Sequence, residues 1–152
     1  MEEWFTVVDH RGYSYQLHLL EYGSSWFAKV FDGNTSVGRI SCLNQGDTLF
    51  LGDLYVLEAA TRPIRGLAWV KVWFGFDMRG RTENYRNRGL GSALLTFAIN
   101  RARAGGYRRV IGKLAAIDLK AMPGLPDWYR HRGFHVTMEA DHLAGTLELT
   151  LS

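Results

Sequence analysis

The chain reads Arg86-Asn87-Arg88-Gly89-Leu90-Gly91 and leads straight into Ser92-Ala93-Leu94-Leu95-Thr96-Phe97-Ala98-Ile99, whose apolar spacing is that of a helix buried on two sides. A glycine-bearing turn that opens a helix leaves several backbone N–H groups pointing outward, and the aligned peptide dipoles add positive potential there. Phosphate groups bind such ends. Gly89 and Gly91 let the chain approach a phosphate with no Cβ in the way, while Arg86 and Arg88 supply charge-assisted donors. The stretch from Arg86 to Ser92 therefore reads as a pyrophosphate socket, set against the plainer reading of ordinary turn chemistry before a helix.

Working outward, Gly105-Gly106 stops the predicted helix, Leu90 to Ala104, by supplying left-handed backbone, and Tyr107 to Ala115 returns as a strand. A strand, a crossover helix and a parallel strand form the handed unit that places its turn at the strand ends, where open sheets bind ligands. Ala116 to Pro126 reads as a loop punctuated by Pro123-Gly124, and Pro126 is placed to begin a helix over Asp127 to Arg132. Phe134 to Met138 and Gly145 to Leu151 read as closing strands joined through Asp141-His142.

Upstream, an antiparallel meander is expected. Glu3 to Val8, Tyr13 to Leu20, Trp26 to Phe31, Val37 to Leu43 and Thr48 to Leu57 are rich in aromatic and β-branched residues. The turn signals His10-Arg11-Gly12, Tyr22-Gly23-Ser24-Ser25, Asp32-Gly33-Asn34 and Asn44-Gln45-Gly46-Asp47 separate them. About 28 residues then intervene before Arg86. Within them Ala68, Val70, Val72, Phe74 and Phe76 alternate with Trp69, Lys71, Trp73, Gly75 and Asp77, the two-residue period of a strand. Two readings stand. Either Thr48 to Leu57 is the strand before the socket and residues 58–85 are an inserted excursion, which is the working assignment, or Leu67 to Asp77 is that strand. Trp69 and Trp73 read as one face of a half-buried strand, with an aromatic acceptor pocket or a homodimer contact as alternatives.

A second motif lies about forty residues beyond the first: Trp128-Tyr129-Arg130-His131-Arg132-Gly133-Phe134, a short helix closed by glycine. Together, Arg-x-x-Gly-x-Gly at the head of a long helix and Tyr-x-x-x-Gly-Phe at this distance resemble the GNAT superfamily of acetyl-CoA-dependent N-acetyltransferases. The likeness covers roughly residues 48 to 138. It implies an α/β (α+β) fold: a mixed, mostly antiparallel central sheet with a parallel β-α-β unit and few helices. The family pattern has two helices after its first strand, and here strands replace them. Many members also carry an asparagine ahead of the motif tyrosine that helps hold the pantetheine arm, where this chain has Lys120-Ala121-Met122-Pro123. Either backbone and water replace that contact, or cofactor binding is weakened.

The resemblance implies a site. Acetyl-CoA is the co-substrate, its pyrophosphate on the socket and its pantetheine arm between the splayed fourth and fifth strands. A backbone N–H at Val56 or Leu57 polarises the thioester carbonyl, Tyr129 is the general acid, and Glu58 is the general base, with Asp77 or a water chain as alternatives. The implied reaction is direct attack by a primary amine in a ternary complex. The amine belongs to a small molecule or a protein. The competing class is a non-catalytic acyl-CoA sensor, or a basic nucleic-acid-binding module on the same fold.

Bulk properties agree with one domain over residues 1–152: a chain of 152 residues buries a sizeable core, and no repeat or low-complexity segment interrupts it. Net charge is only +3, largely through arginines near the socket and on the exit of its helix. Such clustering serves coenzyme phosphates or a solvated helix face; nucleic acid is the disfavoured partner. Met1-Glu2-Glu3-Trp4 is acidic where a secretory leader is basic, and no apolar run spans a bilayer, so a soluble cytoplasmic protein with no membrane partner is expected. Cys42 is the only cysteine and reads as a buried thiol. No metal is expected, because Gly133-Phe134 separates His131 from His135 and no other ligand pattern occurs. Nucleophile-elbow and Gly-Lys-Ser/Thr phosphate-loop motifs are absent from the sequence.

Overall fold

The computed structural model describes residues 2–56, 60–61, 82–83, 89–141 and 143–152. Alternating sequence produces the first five strands: β1 (Glu2–Val8), β2 (Ser14–Tyr22), β3 (Ser25–Asp32), β4 (Thr35–Gln45) and β5 (Thr48–Val56). In β2 the period of two is plain, with Tyr15, Leu17 and Leu19 buried while Ser14 and Gln16 face solvent. Two short strands, β6 (Ala60–Thr61) and β7 (Thr82–Glu83), pair antiparallel as a sheet of their own. Helix α1 (Leu90–Ala104) and strand β8 (Arg109–Leu114) follow. Then come α2 (Ala116–Ala121), α3 (Leu125–Arg130), β9 (His135–Met138) and β10 (Gly145–Thr150).

The main sheet has eight strands in the order β1-β2-β3-β4-β5-β8-β10-β9. Its parallel pair is β5 with β8, in the register Thr48↔Arg109, Leu49↔Val110 and Phe50↔Ile111. This is the arrangement expected if Thr48 to Leu57 is the strand before the socket. Leu67 to Asp77, the competing strand, lies outside the described residues, as does most of the excursion 58–85.

The chain divides into two compact units, Met1–Ser41 with Asp53–Thr96, and Cys42–Gly52 with Phe97–Ser152. In the first, the core gathers Leu17, Leu19, Trp26, Ala28, Val30, Leu90 and Leu94, all essentially inaccessible. Leu94 reaches the sheet where Gly38 leaves room: a Cβ there would stand 3.3 Å from Leu94 Cδ1 and 3.1 Å from the carbonyl oxygen of Tyr55. At the β1–β2 turn, Asp9 is buried and its carboxylate accepts hydrogen bonds from Arg11 N (2.8 Å), Tyr13 N (3.0 Å) and Tyr15 Oη (2.8 Å).

In the second unit Leu49, Ala98, Ile99, Ala102, Val110, Phe134 and Leu147 are buried. Cys42 is buried there too, and burial pushes its thiol well above the usual range. The last turn of α1 closes as the glycine pair predicts. Gly106 takes φ +77°, its N–H donates to Arg103 O (3.1 Å), and Tyr107 N–H donates to Ala102 O (3.0 Å), the paired bonds of a Schellman stop.

Two expectations are corrected. Ala116 to Pro126 is not all loop, since Ala116–Ala121 forms α2; that helix buries no residue, so it carries no apolar stripe by which sequence could reveal it. The helix expected over Asp127 to Arg132 runs instead from Leu125 to Arg130, because proline is accommodated in a first helical turn as well as before it. No helix among the described residues is long and apolar enough to cross a membrane.

Candidate active site

Gly89 takes φ +82°, a left-handed conformation that favours glycine, and the next residue, Leu90, opens α1. The first backbone bond of the helix runs from Ala93 N–H to Gly89 O at 3.0 Å. The N–H groups of Leu90, Gly91 and Ser92 thus precede the intrahelical ladder. Leu90 anchors this end by burying its side chain completely, while Gly91 and Ser92 remain partly accessible. Neither Gly89, left-handed, nor Gly91, in the first turn of the helix, carries a Cβ at this end of α1. The imidazole of His10 lies against Gly89: a Cβ there would stand 3.3 Å from His10 Nδ1.

Val56 ends β5 in the same unit. The packing at Gly38 brings it to α1, since a Cβ there would meet Val56 Cγ2 at 3.4 Å and Leu94 Cδ1 at 3.3 Å. The parallel ladder with β8 covers Thr48 to Phe50, and β5 runs on beyond it to Val56. Leu57, Glu58, Arg86, Asn87 and Arg88 lie outside the described residues, as do Asp77, Trp69 and Trp73.

Tyr129 belongs to the second unit, on the buried side of α3. Only 6% of it is exposed. Its ring makes edge contacts with Trp128 (4.9 Å between centroids) and Phe134 (5.4 Å), and its carbonyl accepts from Arg132 N and Phe134 N. Gly133 completes this turn with φ +93°, so the Tyr-x-x-x-Gly-Phe spacing folds the aromatic pair together. The phenol pKa is pushed up to about 12, first by burial and then by the negative charge of Asp118 on α2, with the Arg132 guanidinium partly opposing. Arg132 is itself fixed, stacked 3.8 Å over the Trp128 ring and donating to Trp128 O at 2.9 Å. At neutral pH the phenol carries its proton, as an unshifted one would. The influence of Asp118 was not legible in sequence, because α2 was not.

The family model for the acetyltransferase (GNAT) family matches residues 1–134. The chain belongs to that family. A search of curated proteins found no sequence match. Among solved structures, the GNAT domain of S. lividans PAT superposes with a TM-score of 0.66 at 12% identity, covering 97% of each chain. The PaiA N-acetyltransferase from Thermoplasma acidophilum, solved in complex with coenzyme A, gives a TM-score of 0.56 at 17% identity over 84% of this chain. This chain spans 62% of that protein's length. The ribosomal-protein-S18-alanine N-acetyltransferase from Escherichia coli gives 0.55 at 16% identity, covering 87% of this chain and 72% of that one. At these identities the likeness is one of fold: the mixed, mostly antiparallel sheet with one parallel pair is the GNAT architecture.

Proposed function

We propose that this GNAT protein transfers an acetyl group from acetyl-CoA to a primary amine by direct attack in a ternary complex, within one catalytic domain. The observation that carries the reading is the head of α1, a left-handed Gly89 followed at once by a fifteen-residue helix, in a chain matched by the family model. Acetyl-CoA, when bound, supplies an activated acetyl thioester. The backbone N–H groups of Gly89 to Ser92 hold its pyrophosphate, with charge from Arg86 and Arg88 and a further contact from Asn87. A backbone N–H at Val56 or Leu57 donates to the thioester carbonyl oxygen, where negative charge develops as the amine attacks.

Two protons must move in this reaction. An attacking ammonium must first lose a proton, which Glu58 accepts directly or through water. The departing thiolate, with a reference pKa of about 8.5, takes a proton from Tyr129 Oη, and solvent restores the phenol. A phenol raised to about 12 keeps its proton at neutral pH, as an ordinary phenol does, and is the weaker acid of the two, so the donor role rests on the motif and not on the shift. The acceptor is an amine-bearing small molecule or a protein, the latter being the kind of substrate that the name of the Escherichia coli neighbour gives for that enzyme.

Free-thiol release from acetyl-CoA, measured against a panel of amines, tests the proposal. Amine-dependent thiol release with a matching acetylated product supports it. Tight coenzyme A binding with no amine acetylated would instead support an acyl-CoA sensor.

A further inference from the structure

We infer that His10, from the β1–β2 turn, is a pyrophosphate-contacting residue of the cofactor site; this rests on the coenzyme A reading above. The family motif does not reach this residue, and as sequence it reads only as part of a turn. The structure places its ring at the residue that opens α1: a Cβ on Gly89 would stand 3.3 Å from His10 Nδ1 and 3.9 Å from its Cβ and Cγ. An imidazole against Gly89 therefore sits at the residue that immediately precedes the first turn of α1. An imidazole N–H can bond a phosphate oxygen from the side while the helix end binds it along the axis.

The turn that carries His10 is held from within. Asp9 is 5% exposed, and its carboxylate takes bonds from the N–H groups of Arg11 and Tyr13 and from the Tyr15 hydroxyl. The backbone closes the same turn through Asp9 N to Tyr13 O (3.0 Å) and Gly12 N to Asp9 O (3.1 Å). His10 itself remains exposed, so its ring is reachable by a ligand while its backbone is fixed. A donor set in place before binding loses little freedom when the phosphate arrives. This first hairpin, a strand pair where the family pattern has helices, thereby acquires a role at the cofactor.

Calorimetry on the full chain tests the inference with His10→Ala and three ligands: coenzyme A, 3′-dephospho-coenzyme A, and pantetheine read by displacement of coenzyme A. The expected result is about a tenfold loss for the first two ligands and none for pantetheine, which has no phosphate. Unchanged coenzyme A affinity in His10→Ala overturns the inference and leaves the cofactor reading standing. An equal loss for pantetheine also overturns it, by making His10 a packing residue of the turn, and a loss confined to coenzyme A assigns it to the 3′-phosphate instead. Failure of the wild-type chain to bind coenzyme A overturns the cofactor reading itself. Should His10→Ala not fold, His10→Phe with the same ligands replaces it: a ring is kept and the N–H donor removed, so the same loss for the first two ligands is expected, and unchanged coenzyme A affinity or an equal loss for all three overturns the inference.

Discussion

Replacing Tyr129 by phenylalanine separates chemistry from packing with one oxygen atom. The ring is almost wholly buried between Trp128 and Phe134, and phenylalanine preserves both edge contacts. What is lost is a donor whose pKa of about 12 keeps it protonated across any working pH. Loss of a positioned acid typically costs about a hundredfold in turnover, so kcat should fall by that order while acetyl-CoA affinity stays within about twofold. The deficit should narrow above about pH 8.5, where a thiolate leaves without help.

The same substitution carries a stability signature. The phenol binds its proton more tightly in the folded chain than in the unfolded one. Its contribution is therefore complete below pH 10 and is lost as pH rises from 10 through about 12. The rise corresponds to at most about 3 kcal/mol, so Tyr129→Phe should lose less stability than wild type on going from pH 9 to pH 12. Thiol-release rates, separate calorimetry and denaturant melts at the two pH values check each part. Full turnover in a folded Tyr129→Phe protein would refute the general-acid role.

Further outcomes are expected at other residues. Gly91→Ala lies at a helical position, so it should hold or raise stability by up to about 1 kcal/mol while its methyl group obstructs the phosphate donors and weakens coenzyme A in calorimetry. Gly89→Ala should instead cost about 1–2 kcal/mol in denaturant melts, because its φ of +82° disfavours a Cβ and His10 crowds it. Asp9→Ala removes the acceptor of three hydrogen bonds that hold the turn, for a loss of about 3 kcal/mol by the same assay. Arg86→Ala and Arg88→Ala should each weaken coenzyme A about tenfold or more, and Arg101→Ala should not; equal effects at all three would mean that only the general field matters.

Local pattern made much of the fold legible. The period of two in Tyr15, Leu17 and Leu19 and in Trp26, Ala28 and Val30 marks strands whose bounds agree closely with β2 and β3. The helix from Leu90 to Ala104 matches the expected span, since its stop is encoded by Gly105-Gly106 at the place where the chain must turn left-handed. The glycine turn and the Tyr-x-x-x-Gly-Phe motif were equally visible, each being a property of a few consecutive residues. By contrast, α2 was invisible because it buries nothing, and α3 began earlier than expected because proline tolerates more than one position in a first turn.

By itself, then, the amino-acid sequence determined the first five strands, the long helix with its stop and the two motifs, for these follow from propensities and periodicities acting over a few residues. Only the tertiary structure decided that β5 is the parallel neighbour of β8, that His10 lies against Gly89, and that burial and Asp118 raise the pKa of the Tyr129 phenol. The physical reason is common to all three. Strand pairing across some sixty residues, a side chain meeting a distant backbone turn, and the desolvation of a hydroxyl each depend on groups brought together by packing, and no local period in the chain carries that information.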